Sequence, residues 1–330
     1  WIHGWDVMSV GGAGILCERS SPTIRACVVA DNTLFEGGGV GICGSHGSTL
    51  HIRDCTVEEN VLLSVAPYAW HGGGVLAIDS ELRMSGCTIR NNSASIYYSG
   101  GAGISVVRGV LDLRSCIVVR NAAYDSGGGL GTYGSSGTIT NCTFAENYAL
   151  PEEGGGLYLE GGQWTLLNTI IYFNSAGAGP EIAFPSSPGR VGAAYCDIRD
   201  DVPWYVRDLG GNTRYFPYFV DQTNGDFHLR RPDSVCVDGG APLFAAAPGN
   251  QDIDGQWRIL DGNGDGVPRV DIGADEYSEF ALGDLNCDGA TNLFDIDAFV
   301  IALTTSFDDP PFGGFYDLWP DCDPASADVI

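Results

Sequence analysis

The chain repeats one pattern of residues about every 27 positions. A cluster of glycines followed by apolar residues begins at positions 11, 37, 72, 100, 127 and 154 of the 330 residues. Successive clusters begin 26, 35, 28, 27 and 27 residues apart, and each is followed by a run such as TITNCTFAEN at 138–147. Self-similarity with a period on the order of 20–50 residues indicates a solenoid, a propeller or another repeat array.

The residue types within each repeat indicate β-strands. Short runs of Val, Ile, Thr, Ser and Cys are bounded by Gly, Asn and Asp, and these are strand and turn signals. Helical repeats would need an apolar period of about 3.6 residues, and a propeller blade needs roughly 40–45 residues. We therefore predict an all-β fold, a parallel β-helix with three short strands per coil and regular coils over residues 1–202. Six aligned units disfavour the alternative, a β-sandwich with coincidental repeats.

Two columns of equivalent residues follow from this stacking. The first column consists of asparagines whose amides are expected to bond from rung to rung, a structural role: Asn32, Asn60, Asn92, Asn121, Asn147 and Asn174. The second consists of cysteines, interrupted by Thr169: Cys27, Cys55, Cys87, Cys116, Cys142 and Cys196. Parallel Cβ vectors hold stacked sulfurs poorly for a disulfide. We predict free, buried thiols; a metal column is the alternative, without the usual CxxC or CxxH spacing.

The charge of the chain excludes several functions. It has 42 acidic residues against 16 basic ones, a net charge of −26, and every basic residue is arginine. Such a surface repels nucleic acid, and the absence of lysine excludes lysine bases and the P-loop lysine. The sequence contains no run of about 18 apolar residues, so we predict no membrane-spanning helix. Because the chain begins at Trp1 without methionine, we expect that a signal peptide or an earlier domain has been removed.

The repeats resemble those of known secreted proteins. Units such as GGAGISV at 100–106 and TITNCTFAEN resemble the coils of the right-handed parallel β-helix, pectate-lyase-like superfamily, over about residues 1–201. Residues 219–277 resemble the closing segment of choice-of-anchor proteins, although Ser234-Val235-Cys236 stands where that pattern has proline. The resemblance implies an extracellular or cell-surface location. It also implies irregular final coils and a cap over 203–277, which solenoids need to shield their ends.

Residues 278–330 predict a linker and a small α-helical calcium-loop tail. The segment Gly283–Thr304 resembles a type I dockerin repeat, and ten acidic and no basic residues lie between Gly283 and Ile330. An EF-hand-type loop takes oxygen ligands at spaced positions around a central glycine, here Asp284, Asn286, Asp288, the carbonyl of Ala290, Asn292 and Asp295. An Asx-rich turn without calcium is the alternative. A disulfide between Cys287 and Cys322 would stabilise so small a module.

A second candidate calcium loop lies before the tail. Asp261, Asn263 and Asp265 precede Gly266 with the spacing of the first half of such a loop, but Ile272 occupies the position of its last ligand. This sequence is compatible with a calcium-binding loop and with a plain turn that binds no metal.

Aromatic residues concentrate in the insertions between the asparagine column and the next glycines. An aromatic strip along one face of a rod is suited to stacking against sugar rings, and the candidates are Tyr68, Trp70, Tyr97, Tyr98, Tyr124 and Tyr148. The alternatives are packing of these side chains on neighbouring loops and a protein interface.

The residues do not identify a catalytic site. Polysaccharide lyases on the fold that the chain resembles use Lys or Arg as the base, and an arginine base would need a strongly perturbed guanidinium. The leading prediction is an extracellular or cell-surface module that binds carbohydrate or assembles with protein partners. The alternatives are a polysaccharide lyase or glycoside hydrolase acting on acidic polysaccharide, and a surface fibre or layer formed by self-association of open ends.

Overall fold

The structure is a computed structural model that describes residues 14–35, 38–63, 72–95, 100–185, 190–200, 204–244 and 251–278. These residues are almost entirely β-structure, and their one helix is a single 3-10 turn at Gln222–Asn224. The predicted all-β, right-handed parallel β-helix is confirmed. The predicted helical tail lies outside the described residues. In the described part of the chain, no helix is both long and apolar enough to span a bilayer.

Each of the first six described coils contributes one strand to each of four parallel sheets, and the seventh contributes to the first three. The first sheet contains Ile15–Glu18, Ile42–Ser45, Val75–Ile78, Ile104–Val107, Leu130–Tyr133, Leu157–Glu160 and Ile182–Ala183. The second contains Thr23–Arg25, Thr49–Arg53, Glu81–Ser85, Val110–Arg114, Ser136–Thr140, Trp164–Leu167, Val191–Ala194 and Val206–Asp208. The third contains Val28–Ala30, Thr56–Glu58, Thr88–Arg90, Ile117–Val119, Thr143–Ala145, Ile170–Tyr172 and Asp197–Ile198. The fourth contains Thr33–Leu34, Val61–Leu62, Ser93–Ala94, Ala122–Ala123, Tyr148–Glu153 and Ser175–Ala178.

The expectation of three strands per coil is wrong, because a fourth strand follows each asparagine. These extra strands are mostly two residues long, as in Ser93–Ala94. The corner before them is turned by a single residue with positive φ, for example Asn91 at 55° and Arg120 at 57°. One left-handed residue redirects the backbone sharply, so a strand that is too short to show a sequence period still pairs with the next coil.

The glycine clusters serve close approach of the backbone more than turn geometry. A Cβ placed on Gly103 would lie 2.6 Å from the carbonyl oxygen of Gly129, and one on Gly129 would lie 2.7 Å from that of Gly156. Neighbouring coils therefore contact through backbone at this edge of the first sheet, and a side chain here would push them apart.

The asparagine column forms the predicted ladder. Nδ2 of Asn92 donates to Oδ1 of Asn121 at 2.9 Å, and Nδ2 of Asn121 donates to Oδ1 of Asn147 at 3.0 Å. The ladder ends at buried Glu181, whose Oε2 accepts from Nδ2 of Asn174 at 2.6 Å. Burial raises the pKa of Glu181 to about 7, although Asn174 and Arg199 both oppose that shift. The ladder therefore closes on a carboxyl group that replaces a further asparagine.

The predicted column of free, buried thiols is also confirmed, apart from the exposed Cys27 at its first rung. Each buried Sγ donates to the carbonyl oxygen two residues earlier, as Cys116 does to Arg114 at 3.1 Å. Burial raises the pKa of Cys196 to about 12. These thiols therefore act as small core side chains.

The residues after the regular coils cover the side of the rod. Val206–Asp208 extends the second sheet as an irregular last strand. The antiparallel hairpin Phe219–Asp221 and Asp226–Leu229 then starts a segment, residues 219–277, that we call the C-terminal arm. Apolar side chains of the arm pack on outward side chains of the third sheet, and Ala274 donates its N–H to Oγ1 of Thr143 at 3.0 Å. The arm lies on the third sheet, and the predicted cap over the end of the solenoid stays a prediction.

Candidate functional site

A cleft lies where the C-terminal arm leaves the third sheet uncovered. Its volume is about 610 Å³, and one wall comes from the corner between the second and third sheets while the other comes from the arm. The polar groups in its lining belong to Asp54, Thr56, Ser85, Thr88, Arg90, Arg114, Ser115, His228, Gln251, Asp252 and Asp254. A concave site of this size with convergent polar groups is the usual form of a small-ligand site.

The wall on the β-helix presents hydroxyl groups and neutralised charges. Thr56 and Thr88 are partners in the register of the third sheet and point outward into the cleft. Arg90 and Glu58 are register partners on adjacent coils, and Nε of Arg90 lies 2.6 Å from Oε2 of Glu58. Nε of Arg114 lies 2.8 Å from Oδ1 of Asp112. Because each guanidinium already has a carboxylate partner, this wall offers many hydrogen-bonding groups and little net charge.

The wall on the arm is centred on His228. Its Nδ1 lies 2.6 Å from Oδ1 of Asp226, and its Nε2 lies 3.3 Å from Oδ2 of Asp254. Asp254 contributes most to raising the pKa of His228 to about 10, and the imidazole in turn lowers the pKa of Asp254. Burial raises the pKa of Asp275, which lies behind this pair, to about 7.

Backbone hydrogen bonds to buried carboxylates hold the arm wall in place. Asp252 accepts the N–H groups of Asp254, Gln256 and Glu276. Arg258, whose side chain is fully buried, lies 3.4 Å from the carboxylate of Glu276 and donates to Oγ of Ser115 on the β-helix. The side chains that carried the resemblance of 252–277 therefore fix the conformation of the arm and dock it on the β-helix.

The described part of the predicted aromatic strip lies on a different face of the rod. Tyr148 pairs with Ala122 in the fourth sheet, and Tyr124 follows on the adjacent coil. These rings are 45% and 40% exposed, and Leu150 beside them is 50% exposed. We call these three side chains the aromatic face. The other predicted members, Tyr68, Trp70, Tyr97 and Tyr98, lie outside the described residues.

The candidate calcium loop before the tail is an exposed turn. The carboxylate of Asp261 accepts the N–H groups of Asp265 and Gly266, at 3.1 and 2.8 Å. Oδ1 of Asn263 accepts the Asp265 N–H at 2.9 Å, and Nη2 of Arg269 lies 3.2 Å from Oδ2 of Asp265. Hydrogen bonds therefore shape the turn, and calcium here stays a prediction.

The tail site lies outside the described residues. This applies to the predicted ligands Asp284, Asn286, Asp288, Ala290, Asn292 and Asp295 and to the predicted disulfide between Cys287 and Cys322.

Sequence reasoning did not find the cleft. Glu58 and Arg90 occupy equivalent positions of successive repeats, but nothing in the repeat pattern brings His228 beside them. His228 lies after the last regular coil, within residues 219–277, and the resemblance of that segment implied no site at this histidine. Its position depends on how the arm folds back over the third sheet, which the spacing of repeats does not encode.

Comparison with known proteins supports the fold. A family model described as the right handed beta helix region matches residues 1–80 and 64–184, which together are more than half of the chain. Neither a comparison with curated proteins nor one with solved structures gave a match. With parallel strands stacked in four sheets over the described part of residues 14–184, the chain belongs to the right-handed β-helix family.

Proposed function

We propose that the protein is an extracellular β-helix module that binds a neutral carbohydrate in the cleft. The observation that carries this proposal is the lining of the cleft, in which threonine hydroxyls stand beside guanidinium and carboxylate groups that are already paired. A sugar presents many hydroxyl groups and no charge, so it suits the β-helix wall of the cleft, which is rich in donors and acceptors and whose guanidinium groups are paired. The extracellular location rests on the resemblance of the repeats to secreted proteins.

The electrostatics favour a neutral ligand over an acidic polysaccharide. The chain carries a net charge of −26. The arginines of the cleft are engaged with Glu58 and Asp112, so a uronate carboxylate would have to displace an existing partner. Long-range repulsion would also slow its approach.

The bonding partners of the cleft carboxylates favour binding over hydrolysis. A glycosidase needs a carboxyl group that stays protonated near neutral pH and faces the scissile bond. The pKa of Asp254 is lowered by His228. Burial raises the pKa of Asp252, but its two oxygens accept backbone N–H groups. Asp54 lies 2.9 Å from the guanidinium of Arg25.

The aromatic face favours an extended ligand or a second contact. Tyr124 and Tyr148 project from adjacent coils, about 4.8 Å apart along the axis by the usual strand spacing. Exposed tyrosine rings of this kind stack on sugars or anchor a protein partner. We propose that this face adds affinity for a polymeric glycan, with protein assembly as the second candidate because Leu150 extends it with an apolar side chain.

Glycan-array and calorimetric binding of the whole chain test the proposal. Thr88→Trp should fill the cleft and lower the affinity for the bound glycan at least about tenfold. Val28→Trp is the matched control, because Val28 occupies the same column, is 68% exposed and lies outside the cleft. Unchanged binding by Thr88→Trp, equal losses in both variants, or no binding by the wild type on a broad neutral panel would overturn the proposal.

Tyr148→Ala separates the two surfaces. If the aromatic face contacts the same glycan, this variant should weaken binding of long oligosaccharides and leave short ones unaffected. If the face is a protein interface, glycan binding should not change and the tendency of the chain to associate, measured by sedimentation, should fall.

A further inference from the structure

We propose that His228, Asp254 and Asp275 bind a divalent transition-metal ion of the zinc class at the base of the arm wall. One imidazole nitrogen and two carboxylate oxygens, one from each residue, all lie within 4.8 Å of one another. None of the three residues belongs to either predicted calcium loop, and the proposal stands whether or not the cleft binds a sugar.

The spacing of the donor atoms fits a small metal ion. Zinc binds histidine nitrogen and carboxylate oxygen at about 2.0–2.2 Å in tetrahedral sites, which places two such ligands roughly 3.4 Å apart. Nε2 of His228 already lies 3.3 Å from Oδ2 of Asp254. The three ligands come from the hairpin, from the loop that follows 251 and from the end of the arm, so the ion would join three separate segments.

His228 is oriented as a metal ligand. Its Nδ1 lies 2.6 Å from Oδ1 of Asp226, while its Nε2 is buried and makes no hydrogen bond of good geometry. Metal-binding histidines commonly donate their other ring N–H to a carboxylate, which fixes the ring and leaves the second nitrogen for the ion. Asp226 occupies that supporting position.

The charge around the site favours a cation. The arm buries five carboxylates, those of Asp238, Asp252, Asp271, Asp275 and Glu276. Arg258 is the buried base of the described arm, and it contacts Glu276. Buried charge without a partner is costly, so a divalent ion between Asp254 and Asp275 would offset part of the surplus.

The donor set selects the class of metal. Imidazole together with carboxylates suits zinc, nickel, copper or iron, whereas calcium takes about six to eight oxygen ligands. His228 and Asp254 also line the cleft, so a further coordination position would face it and accept water or a ligand oxygen.

Cobalt(II) titration of the full chain with calcium present tests the site, because cobalt reports its ligands by absorption. We expect one equivalent of tightly bound ion with the visible bands of nitrogen and oxygen coordination, displaced by zinc. Binding through the cysteine column would instead give thiolate-to-cobalt charge transfer in the near ultraviolet. No stoichiometric binding, or binding with the thiolate signature alone, would overturn the proposal.

Two variants and two controls locate the ion. Asp254→Asn removes a ligand that is about half exposed and should weaken cobalt binding at least about tenfold. Asp226→Asn keeps the shape of the supporting group and should weaken it by about 10–100-fold, the usual effect of such partners. Asp261→Asn and His46→Asn, at the exposed turn and at an exposed histidine, should bind as the wild type does. Wild-type affinity in Asp254→Asn, or loss in either control, would refute the assignment.

Discussion

Replacement of Asn121 by alanine should be among the most damaging single changes in the regular coils. The side chain is fully buried. It donates to the carbonyl oxygens of Ile89 and Val119 at 3.0 and 3.1 Å and to Oδ1 of Asn147. Its own Oδ1 accepts both the backbone N–H and the side-chain amide of Asn92. One residue therefore satisfies polar groups of the coils on both sides.

The magnitude follows from the groups that lose partners. Alanine leaves the backbone N–H of Asn92 without its acceptor in a region that water does not reach, and it removes a donor from two carbonyl groups. An unsatisfied buried group costs about 1–3 kcal/mol. Because the carbonyl oxygen of Val119 also accepts the N–H of Asn91 at 3.3 Å, we expect a loss of about 3–5 kcal/mol in the free energy of unfolding.

Asn32 provides the matched control at the first described rung. It is only partly buried, donates to Ala30 and Asn60, and can be replaced by water. Asn32→Ala should therefore cost about 1 kcal/mol. Urea unfolding followed by circular dichroism measures both variants, and hydrogen exchange should show faster exchange at Asn92 in Asn121→Ala. Equal destabilisation by the two substitutions would refute the reasoning.

Three further predictions concern single buried or exposed groups. The pKa of Glu181 is about 7 in the folded state and 4.5 in the unfolded reference, so the folded state binds more protons between these pH values. Stability should therefore fall as pH rises from 4.5 to 7, and Glu181→Gln should flatten this slope in thermal melts. An unchanged slope in the variant would contradict the prediction. Iodoacetamide under native conditions should modify Cys27 and spare Cys116, whose pKa is raised by burial. Mass spectrometry of the peptides measures the labelling of each cysteine, and equal labelling would contradict the buried thiol column. Arg258→Met should leave Glu276 buried without its cation and destabilise the arm by about 3–5 kcal/mol. Hydrogen exchange should then become faster over 251–278 and stay unchanged in the first sheet. Slow exchange in the arm of the variant would contradict this prediction.

The coils were predictable because equivalent residues recur at nearly constant intervals along the sequence. Residues at equivalent positions of a parallel coil must stack, so the recurrence of Asn and Cys at fixed offsets from the glycines predicts both columns before any coordinates are known. The ladder that joins Asn92, Asn121 and Asn147 is the direct outcome. The two-residue fourth strand was missed because a segment of that length carries no period.

The arm was not predictable in the same way, because its contacts join residues far apart in the chain. Arg258 donates to Ser115, 143 residues away, and Ala274 donates to Thr143, 131 residues away. Motif resemblance identified the segment 252–277, but a motif does not state which surface the segment covers. That surface is chosen by apolar and hydrogen-bonding complementarity, which becomes visible only when the third sheet is assembled.

One column of equivalent residues in the repeat nevertheless predicts where the arm covers the β-helix and where the cleft lies. The last residue of each third-sheet strand points outward. After Ala30 in the first described coil it is polar in the next two, as Glu58 and then Arg90. In later coils the same position holds Val119, Ala145 and Tyr172, all buried. An outward column of a solenoid that becomes apolar must be covered by another part of the chain, because so much exposed apolar surface is rare on a soluble protein. The change from Arg90 to Val119 thus marks the border of the arm, and the cleft lies at that border because a covering segment that ends part-way along a sheet leaves a step beside it.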